Sequence, residues 1–414
     1  MHKTTHPSES YLLLTVSGID SPGITAELMG ILANYPVQLL DISQAVIQKL
    51  LSLSLLLFIP ANQSDQITPL LQALKNKALS LGLQLNSQSL NDSKALGQKT
   101  QTHPHYAVTL IADQISAQAF CRVAQVLARW NVNIDTIKKL SEDSFSCVEM
   151  QISTPQSIDP HVLRKELLEI ASQESVDIAL QAEGLYRRSK RLVVLDMDST
   201  LIQGEVIDEL AREKGVYEDV AQITHDAMMG TLDYDTSLKL RCEKLQGLTL
   251  NDLQRVYERI QITPGGSDLI QVLKKLGYKI AVISGGFTFM ADRLKSRLGI
   301  DFAYANTLEI HNGVLTGKVI PPIVNAQRKA DLLDVLAQQE RISLDQVIAI
   351  GDGANDLLML ERAGLGIAFN AKPLVKQKAD LALSQKNLKS ILFLLGMTSR
   401  EIRKIITESK STLG

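Results

Sequence analysis

The sequence has few cysteines and aromatic residues, and it has no long hydrophobic run. Its three cysteines, Cys121, Cys147 and Cys242, are far apart and form no CxxC pair, so we expect neither a disulfide framework nor a cysteine zinc site. The most hydrophobic stretch, residues 50–60, is too short to cross a bilayer. A formal charge of -2 provides no positive field for nucleic acid or anionic lipid. We therefore expect a cytoplasmic protein with no nucleic-acid partner and no membrane partner.

The chain has 414 residues, a length sufficient for roughly three domains. It is 45% hydrophobic and 21% charged, a balance typical of folded proteins. The first half repeats one layout, in which a strand, a helix and two strands precede a further helix and a short strand. The copies occupy residues 8–86 and 105–184. Residues 87–104, rich in Ser, Asn, Gln and Lys, are interpreted as a linker. The repeat predicts two small α+β domains.

From residue 185 onward the pattern changes to apolar strands that alternate with helices. An unbroken apolar run at 192–195 and further strands at 279–284 and 347–350, separated by helical stretches, predict a doubly wound parallel sheet, so the fold class is α/β. Functional sites in such sheets lie at the carboxyl ends of the strands. A long, charged and helical insertion at 205–263 interrupts the alternation, and we interpret it as a cap over such a site.

Two acidic clusters stand at these strand ends. Asp196 and Asp198 follow the first strand, and Asp352 and Asp356 follow the third. One carboxylate in such a place is commonly a helix cap or a turn residue. Two clusters together could place three or four carboxylates around a hard cation, and Mg²⁺ prefers such oxygen ligands. The sequence therefore predicts a magnesium site.

Four blocks in a fixed order resemble the signature of the haloacid dehalogenase superfamily. They are Asp196, Asp198 and Thr200, then Ser284, then Lys329, and finally Asp352 with Asp356. The resemblance implies a phosphatase core at 185–204 and 264–400, with a helical cap at 205–263. It implies that Asp196 is the nucleophile and that Asp198 is the acid and base.

The same resemblance implies the binding groups of the site. Mg²⁺ would be held by Asp196, the backbone carbonyl of Asp198 and Asp352, with Asp356 close by. Lys329, Ser284 and the amides of Gly285 and Gly286 would contact the phosphoryl oxygens. By residue type alone, Lys329 would instead be an exposed helix lysine.

A closer resemblance to phosphoserine phosphatases covers residues 196–205, 229–241 and 284–288. It implies hydrolysis of phosphoserine to serine through an aspartyl-phosphate, the last step of serine biosynthesis, and substrate contacts from Glu205, Arg241 and Asn355. Glu205 and Arg241 could otherwise be surface residues of cap helices. Tyr234 stands where the family usually has phenylalanine, and it fits either the substrate pocket or the cap core.

In the first repeat, residues 18–24 resemble the amino-acid-binding loop of ACT domains, which implies a ferredoxin-like fold for both repeats. A plain turn capped by Asp20 or Ser21 is the alternative. We expect L-serine to bind near Asp20, Gly23 and Ile24 at an interface of a homodimer and to inhibit the phosphatase. The second repeat has residues 113–116 in this place, without glycine or proline, and we expect it to have lost the ligand.

Two other functions fit the same residues. The chain could be a phosphatase or phosphotransferase for another small phosphomonoester. It could also be an amino-acid-sensing binding protein whose phosphatase half is inactive. The presence of every charged group that the reaction needs disfavours the second alternative.

Overall fold

The computed structural model describes residues 10–90, 103–141 and 145–411. The chain forms two compact units, Met1–Thr102 and His103–Gly414. All three cysteines are free thiols, in agreement with the expected absence of a disulfide framework. Within the described ranges, no helix combines the length and the apolar character that a membrane crossing requires.

The first unit has the predicted order of elements. They are β1 (Ser10–Ile19), α1 (Ile24–Leu32), β2 (Gln38–Ile47), β3 (Leu50–Ile59), α2 (Ile67–Ser80) and β4 (Gln84–Leu90). The antiparallel sheet has the order β2-β3-β1-β4. Alternate residues of β3 from Leu51 to Ile59 are buried, because period-two alternation turns one face of the sheet toward the helices.

Strand β4 corrects one predicted boundary. It continues to Leu90, which pairs with Tyr11 of β1. Residues 87–90 therefore belong to the sheet and not to the linker predicted at 87–104. Residues 91–102 of that segment lie outside the described residues.

The second repeat has the same order of elements as the first. It contains β5 (His105–Ala112), α3 (Ala117–Arg129), β6 (Asn133–Lys139), β7 (Ser146–Ser153), α4 (Pro160–Glu174) and β8 (Asp177–Ala182). Its sheet has the order β6-β7-β5-β8. Two residues favour the start of helix α4. The side chain of Asp159 is the N-cap and accepts a hydrogen bond from the amide of His161, and Pro160 occupies the first helical position.

The rest of the second unit contains a seven-stranded sheet and the helices that connect its strands. The strand order in this sheet is β12-β11-β10-β9-β13-β14-β15. All neighbours are parallel except the β11–β12 hairpin. The elements, in chain order, are α5 (Leu185–Arg188), β9 (Leu192–Leu195), α6 (Val206–Lys214), α7 (Tyr217–Met228), α8 (Tyr234–Lys244), α9 (Leu250–Arg259), α10 (Gly266–Lys275), β10 (Lys279–Phe287), α11 (Thr288–Leu298), β11 (Phe302–His311), β12 (Val314–Ile320), α12 (Ala326–Gln339), β13 (Val347–Gly351), α13 (Leu357–Arg362), β14 (Leu365–Phe369), α14 (Pro373–Lys378), β15 (Leu381–Leu383), α15 (Ser390–Leu394) and α16 (Ser399–Ser411).

The central strand β9 is fully buried. It lies between β10 and β13, as its unbroken apolar composition predicts. Helices α6 to α9 stand between β9 and β10 in the chain, in the insertion interpreted as a cap.

The second repeat shares a hydrophobic core with the seven-stranded sheet domain. The rings of Phe145 and Phe393 meet edge to face with centroids 5.2 Å apart. Asp177 at the start of β8 accepts hydrogen bonds from the amides of Ser384 and Gln385, at 2.8 and 3.2 Å. These contacts attach the second repeat to the region that follows β15.

Candidate active site

The two acidic clusters meet at the carboxyl edge of the seven-stranded sheet. Asp196 follows β9 and Asp352 follows the adjacent parallel strand β13, and the amide of Asp196 donates to the carbonyl of Ile350 at 2.8 Å. Carboxylate oxygens of Asp196, Asp352 and Asp356 all lie within 4.8 Å of one another. The structure therefore brings together the acidic groups that the sequence placed at separate strand ends.

A tight turn after β9 aims Asp198 into the same place. Ser199 adopts a left-handed conformation with φ of 54°, and its amide donates to the carbonyl of Gly204 at 2.9 Å. Asp198 is 8% exposed, and its Oδ1 accepts from the amide of Val206 at 3.0 Å. Its Oδ2 lies 3.4 Å from the hydroxyl of Ser284.

Lys329 is buried in this cluster rather than exposed on its helix. Its Nζ lies 2.9 Å from Oδ1 of Asp196 and 2.6 Å from Oδ1 of Asp356. Burial alone would lower the pKa of Lys329, but the two carboxylates outweigh burial and raise the pKa above its ordinary value. The second oxygen of Asp356 accepts from the amide of Gly353 at 3.0 Å. Both oxygens of Asp356 are thus engaged within the protein.

Three carboxyl groups of the cluster, Asp196, Asp198 and Asp352, have pKa values raised above their ordinary range. Burial raises the pKa of Asp196, and the charge of Asp356 raises it further. Burial, followed by the charge of Glu205, raises the pKa of Asp198 to about 8. Burial and the charge of Asp356 raise the pKa of Asp352 to about 7. A divalent cation would offset this crowding of negative charge, and the all-oxygen ligand set fits Mg²⁺.

Ser284, Gly285 and Gly286 form the end of β10 beside Asp198. The Ser284 hydroxyl oxygen accepts from the amide of Gly286 at 2.8 Å, so this amide, expected to be free for a phosphoryl oxygen, has a partner in the protein. A Cβ on Gly286 would lie 2.3 Å from Oδ2 of Asp198. Glycine is therefore required here for close approach of the backbone to a carboxylate.

A cavity of about 990 Å³ lies over these groups, between the sheet edge and the helices of the insertion. The predicted site residues in its wall are Asp196, Asp198, Glu205, Tyr234, Arg241, Ser284, Gly285, Gly286, Asp352 and Asn355. Lys329 and Asp356 stand behind this wall and are fully buried. Met228, Leu358 and Lys372 also line the cavity and were not identified from the sequence.

Glu205 and Arg241 bring opposite charges to the cavity. Glu205 is exposed and accepts from the hydroxyl of Ser199 at 2.9 Å. Arg241 donates from Nε to the carbonyl of Ser237 at 3.4 Å. Among the described residues its guanidinium forms no ion pair, and its two terminal nitrogens make no hydrogen bond there, so they can donate to an anion.

Tyr234 fits both of its predicted environments. Its ring packs against the hydrophobic core of the domain and also lines the cavity. Its hydroxyl donates to the carbonyl of Gly285 at 3.3 Å, and burial raises the pKa of Tyr234 to about 12. The hydroxyl therefore links α8 to the end of β10.

In the first unit, the loop between β1 and α1 forms a smaller cavity of about 370 Å³. Asp20, Gly23 and Ile24 line it together with Gln44 of β2. Gly23 has φ of 98°, a left-handed conformation that favours glycine, and no side chain caps α1. In the second repeat, by contrast, the hydroxyl of Ser116 accepts from Ala119 and caps α3.

Comparison with protein families gives separate matches for the two repeats and for the seven-stranded sheet domain. The haloacid dehalogenase-like hydrolase family matches residues 190–364. Two ACT domain families match residues 10–88 and 102–181.

Two relatives match nearly the whole chain. A phosphoserine phosphatase of Mycobacterium tuberculosis is 40% identical over 397 residues, which cover 96% of this chain and 95% of that protein. A phosphoserine phosphatase of Streptomyces coelicolor is 41% identical over 392 residues, covering 94% and 93%.

Two solved structures resemble large parts of the chain. A HAD family hydrolase of Salmonella enterica subsp. enterica serovar Typhi matches with a TM-score of 0.63 and 33% identity, covering 70% of this chain and 98% of that one. A probable phosphoserine phosphatase of Vibrio cholerae matches with a TM-score of 0.56 and 34% identity, covering 72% and 88%.

Proposed function

The chain belongs to the phosphoserine phosphatase family, and from this premise we propose that it hydrolyses O-phospho-L-serine to L-serine and phosphate through an aspartyl-phosphate on Asp196. The observation that carries the proposal is the position of Asp196. Its Oδ1 accepts from Lys329 and from the amide of Met197 at 2.7 Å. Within the described residues no hydrogen bond reaches Oδ2, and Asp196 lines the cavity, so we assign Oδ2 as the nucleophilic oxygen.

In the first step, Oδ2 of Asp196 forms a bond to phosphorus while the ester bond between phosphorus and the serine oxygen breaks. The departing serine oxygen takes a proton from Asp198, whose Oδ2 stands at the cavity wall beside Ser284. Serine leaves, and Asp196 carries the phosphoryl group. Lys329 stabilises the charge on the Asp196 side of the transferred group.

In the second step, water attacks the phosphorus of the acyl phosphate and gives a proton to Asp198. The bond between phosphorus and Asp196 breaks, phosphate leaves, and both aspartates return to their starting states. Bound at Asp196, the backbone carbonyl of Asp198 and Asp352, Mg²⁺ would neutralise the charge that repels a carboxylate from a phosphate dianion.

Recognition of the amino-acid part is assigned to the two charged groups at the cavity wall. The terminal nitrogens of Arg241 suit the substrate carboxylate, and Glu205 suits the ammonium group. Asn355 lines the same wall and offers an amide to the substrate. These three groups separate phosphoserine from phosphomonoesters that lack an amino acid.

Phosphate release by the full chain tests the proposal. Activity on O-phospho-L-serine is expected to need Mg²⁺ and to exceed activity on O-phospho-L-threonine and on sugar phosphates, and Asp196→Asn serves as the inactive control. Equal turnover of all the esters would favour a general phosphomonoesterase. Absence of phosphate release from every ester would favour a binding protein and contradict the proposal.

We also propose that L-serine binds the cavity at Asp20, Gly23 and Ile24 and inhibits the phosphatase. The left-handed Gly23 and the uncapped start of α1 leave backbone amides for an amino-acid carboxylate. Strand β2 is exposed along its whole length, which supports a homodimer formed through this edge of the sheet.

Inhibition by added L-serine should weaken in Asp20→Ala of the full chain. It should remain in Asp113→Ala, which changes the corresponding loop of the second repeat. Equal inhibition of both variants would contradict the proposed site, and a single monomeric species in solution would contradict the dimer.

A further inference from the structure

The carbonyl oxygen of Gly285 is held by two hydrogen bonds that come from different parts of the second unit. The side-chain amide of Asn306, on β11, donates to it at 2.7 Å. The hydroxyl of Tyr234, on α8 of the cap, donates to it at 3.3 Å. The other side of the same peptide group is the N–H of Gly286, which donates to the hydroxyl oxygen of Ser284 at 2.8 Å.

Asn306 uses both ends of its side chain on backbone groups near the reacting centre. It is fully buried. While Nδ2 donates to Gly285, Oδ1 accepts from the amide of Val324 at 2.8 Å. Val324 lies just before Asn325, which caps the helix that carries Lys329. One side chain therefore ties the end of β10 to the start of α12.

The peptide between Gly285 and Gly286 needs such a restraint. A Cβ at either glycine would clash, at 2.2 Å from the hydroxyl of Tyr234 or at 2.3 Å from Oδ2 of Asp198, so bulkier residues cannot stiffen the backbone. Two consecutive glycines lose the most conformational freedom on folding and can rotate their shared peptide plane most easily. A rotated plane would remove the N–H that the Ser284 hydroxyl oxygen accepts and would turn the carbonyl oxygen toward Ser284 instead.

We propose that Asn306 is a positioning residue for phosphoryl transfer, holding the Gly285–Gly286 peptide with its N–H on the hydroxyl oxygen of Ser284, which lies 3.4 Å from Oδ2 of Asp198. The inference rests on the proposed function, since it assumes that phosphate binds beside Asp196. The N–H in turn orients the Ser284 hydroxyl beside Asp198, and donors fixed before the reaction stabilise charge in the transition state without reorganising. Tyr234 donates a second hydrogen bond to the carbonyl of Gly285 from helix α8 of the cap. The position of this peptide therefore also depends on the position of the cap.

The test uses Asn306→Asp in the full chain. This variant keeps an oxygen for the amide of Val324 and replaces the donor to Gly285 with an acceptor. We expect kcat per folded molecule to fall about ten- to a hundredfold, together with weaker binding of inorganic phosphate measured by calorimetry. Asn387→Asp is the matched control, because Asn387 accepts from the amide of Lys389 through Oδ1 and lies outside the cavity wall.

A second variant and a second substrate keep the outcome decisive. Asn306→Ser retains a hydroxyl that is too short to reach both backbone partners, and we expect the same loss of kcat if Asn306→Asp does not fold. Each variant is measured with phosphoserine and with para-nitrophenyl phosphate. If the unsubstituted protein hydrolysed para-nitrophenyl phosphate but not phosphoserine, the proposed substrate would be wrong. The effect of the Asn306 variants on that ester and on phosphate binding would still test the positioning role. Unchanged kcat and unchanged phosphate affinity in both variants would overturn the inference.

Discussion

The ammonium nitrogen of Lys329 lies 2.9 Å from Oδ1 of Asp196, and the two side chains are 0% and 6% exposed. An ion pair so far from solvent is costly to form and far more costly to break, because the remaining partner keeps its charge without compensation. Within the described parts of the chain the other oxygen of Asp196 has no hydrogen-bond partner, and Asp196 lines the cavity. The same contact thus fixes the orientation of Asp196, the proposed nucleophile.

Lys329→Met tests this role of the buried cation. Without Mg²⁺, we expect the free energy of unfolding to fall by about 3–5 kcal/mol, since Asp196 and Asp356 lose their shared partner. Activity should fall at least about a hundredfold. Lys274→Met, which removes a solvent-accessible pair with Asp301, is the control and should cost less than about 1 kcal/mol. Equal urea midpoints for the two variants would contradict the buried arrangement.

Arg241→Ala separates recognition of the amino acid from chemistry at phosphorus. We expect kcat/KM for phosphoserine to fall by about ten- to a hundredfold, the usual loss for a charge-assisted hydrogen bond. Turnover of phosphoethanolamine, which has no carboxylate, should change little. Lys239→Ala alters an exposed residue of the same helix outside the cavity and should leave both substrates unaffected. A parallel loss for both substrates in Arg241→Ala would show that the guanidinium acts elsewhere.

Gly285→Ala tests the close approach between the cap and the end of β10. Its Cβ would lie 2.2 Å from the hydroxyl of Tyr234, and overpacking of this kind costs about 1–3 kcal/mol. We expect kcat/KM to fall about tenfold or more. Tyr234→Phe alone loses one long hydrogen bond and should change kcat/KM by less than about fivefold. The double variant should recover part of the loss, and purely additive effects would argue against the contact.

Lys190 provides a pH-dependent test of the contacts that hold the chain before β9 against the segments before β13 and β14. Its ammonium donates to the carbonyls of Asp345 and Gly364 at 2.6 and 3.0 Å, and burial lowers the pKa of Lys190 to about 8. Between about pH 8 and about pH 10 the unfolded chain binds more protons at this group than the folded chain, so stability should rise with pH. Lys190→Met should lack this rise in urea unfolding. Identical pH slopes for both proteins would contradict the assignment.

The parts of the site that follow from strand ends could be predicted from the sequence. Unbroken apolar runs before Asp196 and Asp352 identify buried parallel strands, and neighbouring parallel strands end at the same edge. The burial of Lys329 could not be predicted from its residue type, because it depends on α12 packing directly behind the carboxylates. The hydrogen bond from Gly286 to Ser284 also depends on the folded backbone.

Two other features had weak or misleading signals in the sequence. Asn306 is one polar residue inside β11 and belongs to no recognised motif, although its burial in a strand would demand partners for the side chain. Residues 87–90 have the polar composition of a linker, but they form the edge of a sheet. Their backbone pairing with β1 satisfies N–H and C=O groups whatever the side chains are.

The central claim is that Asp196 carries the phosphoryl group between the two steps. The direct measurement is rapid acid quenching of the full chain during turnover of phosphoserine with Mg²⁺, followed by mass spectrometry of its peptides. The account predicts a phosphoryl adduct on the peptide that contains Asp196, and no adduct in Asp196→Asn. A phosphoryl group on any other residue, or full turnover by Asp196→Asn, would contradict it.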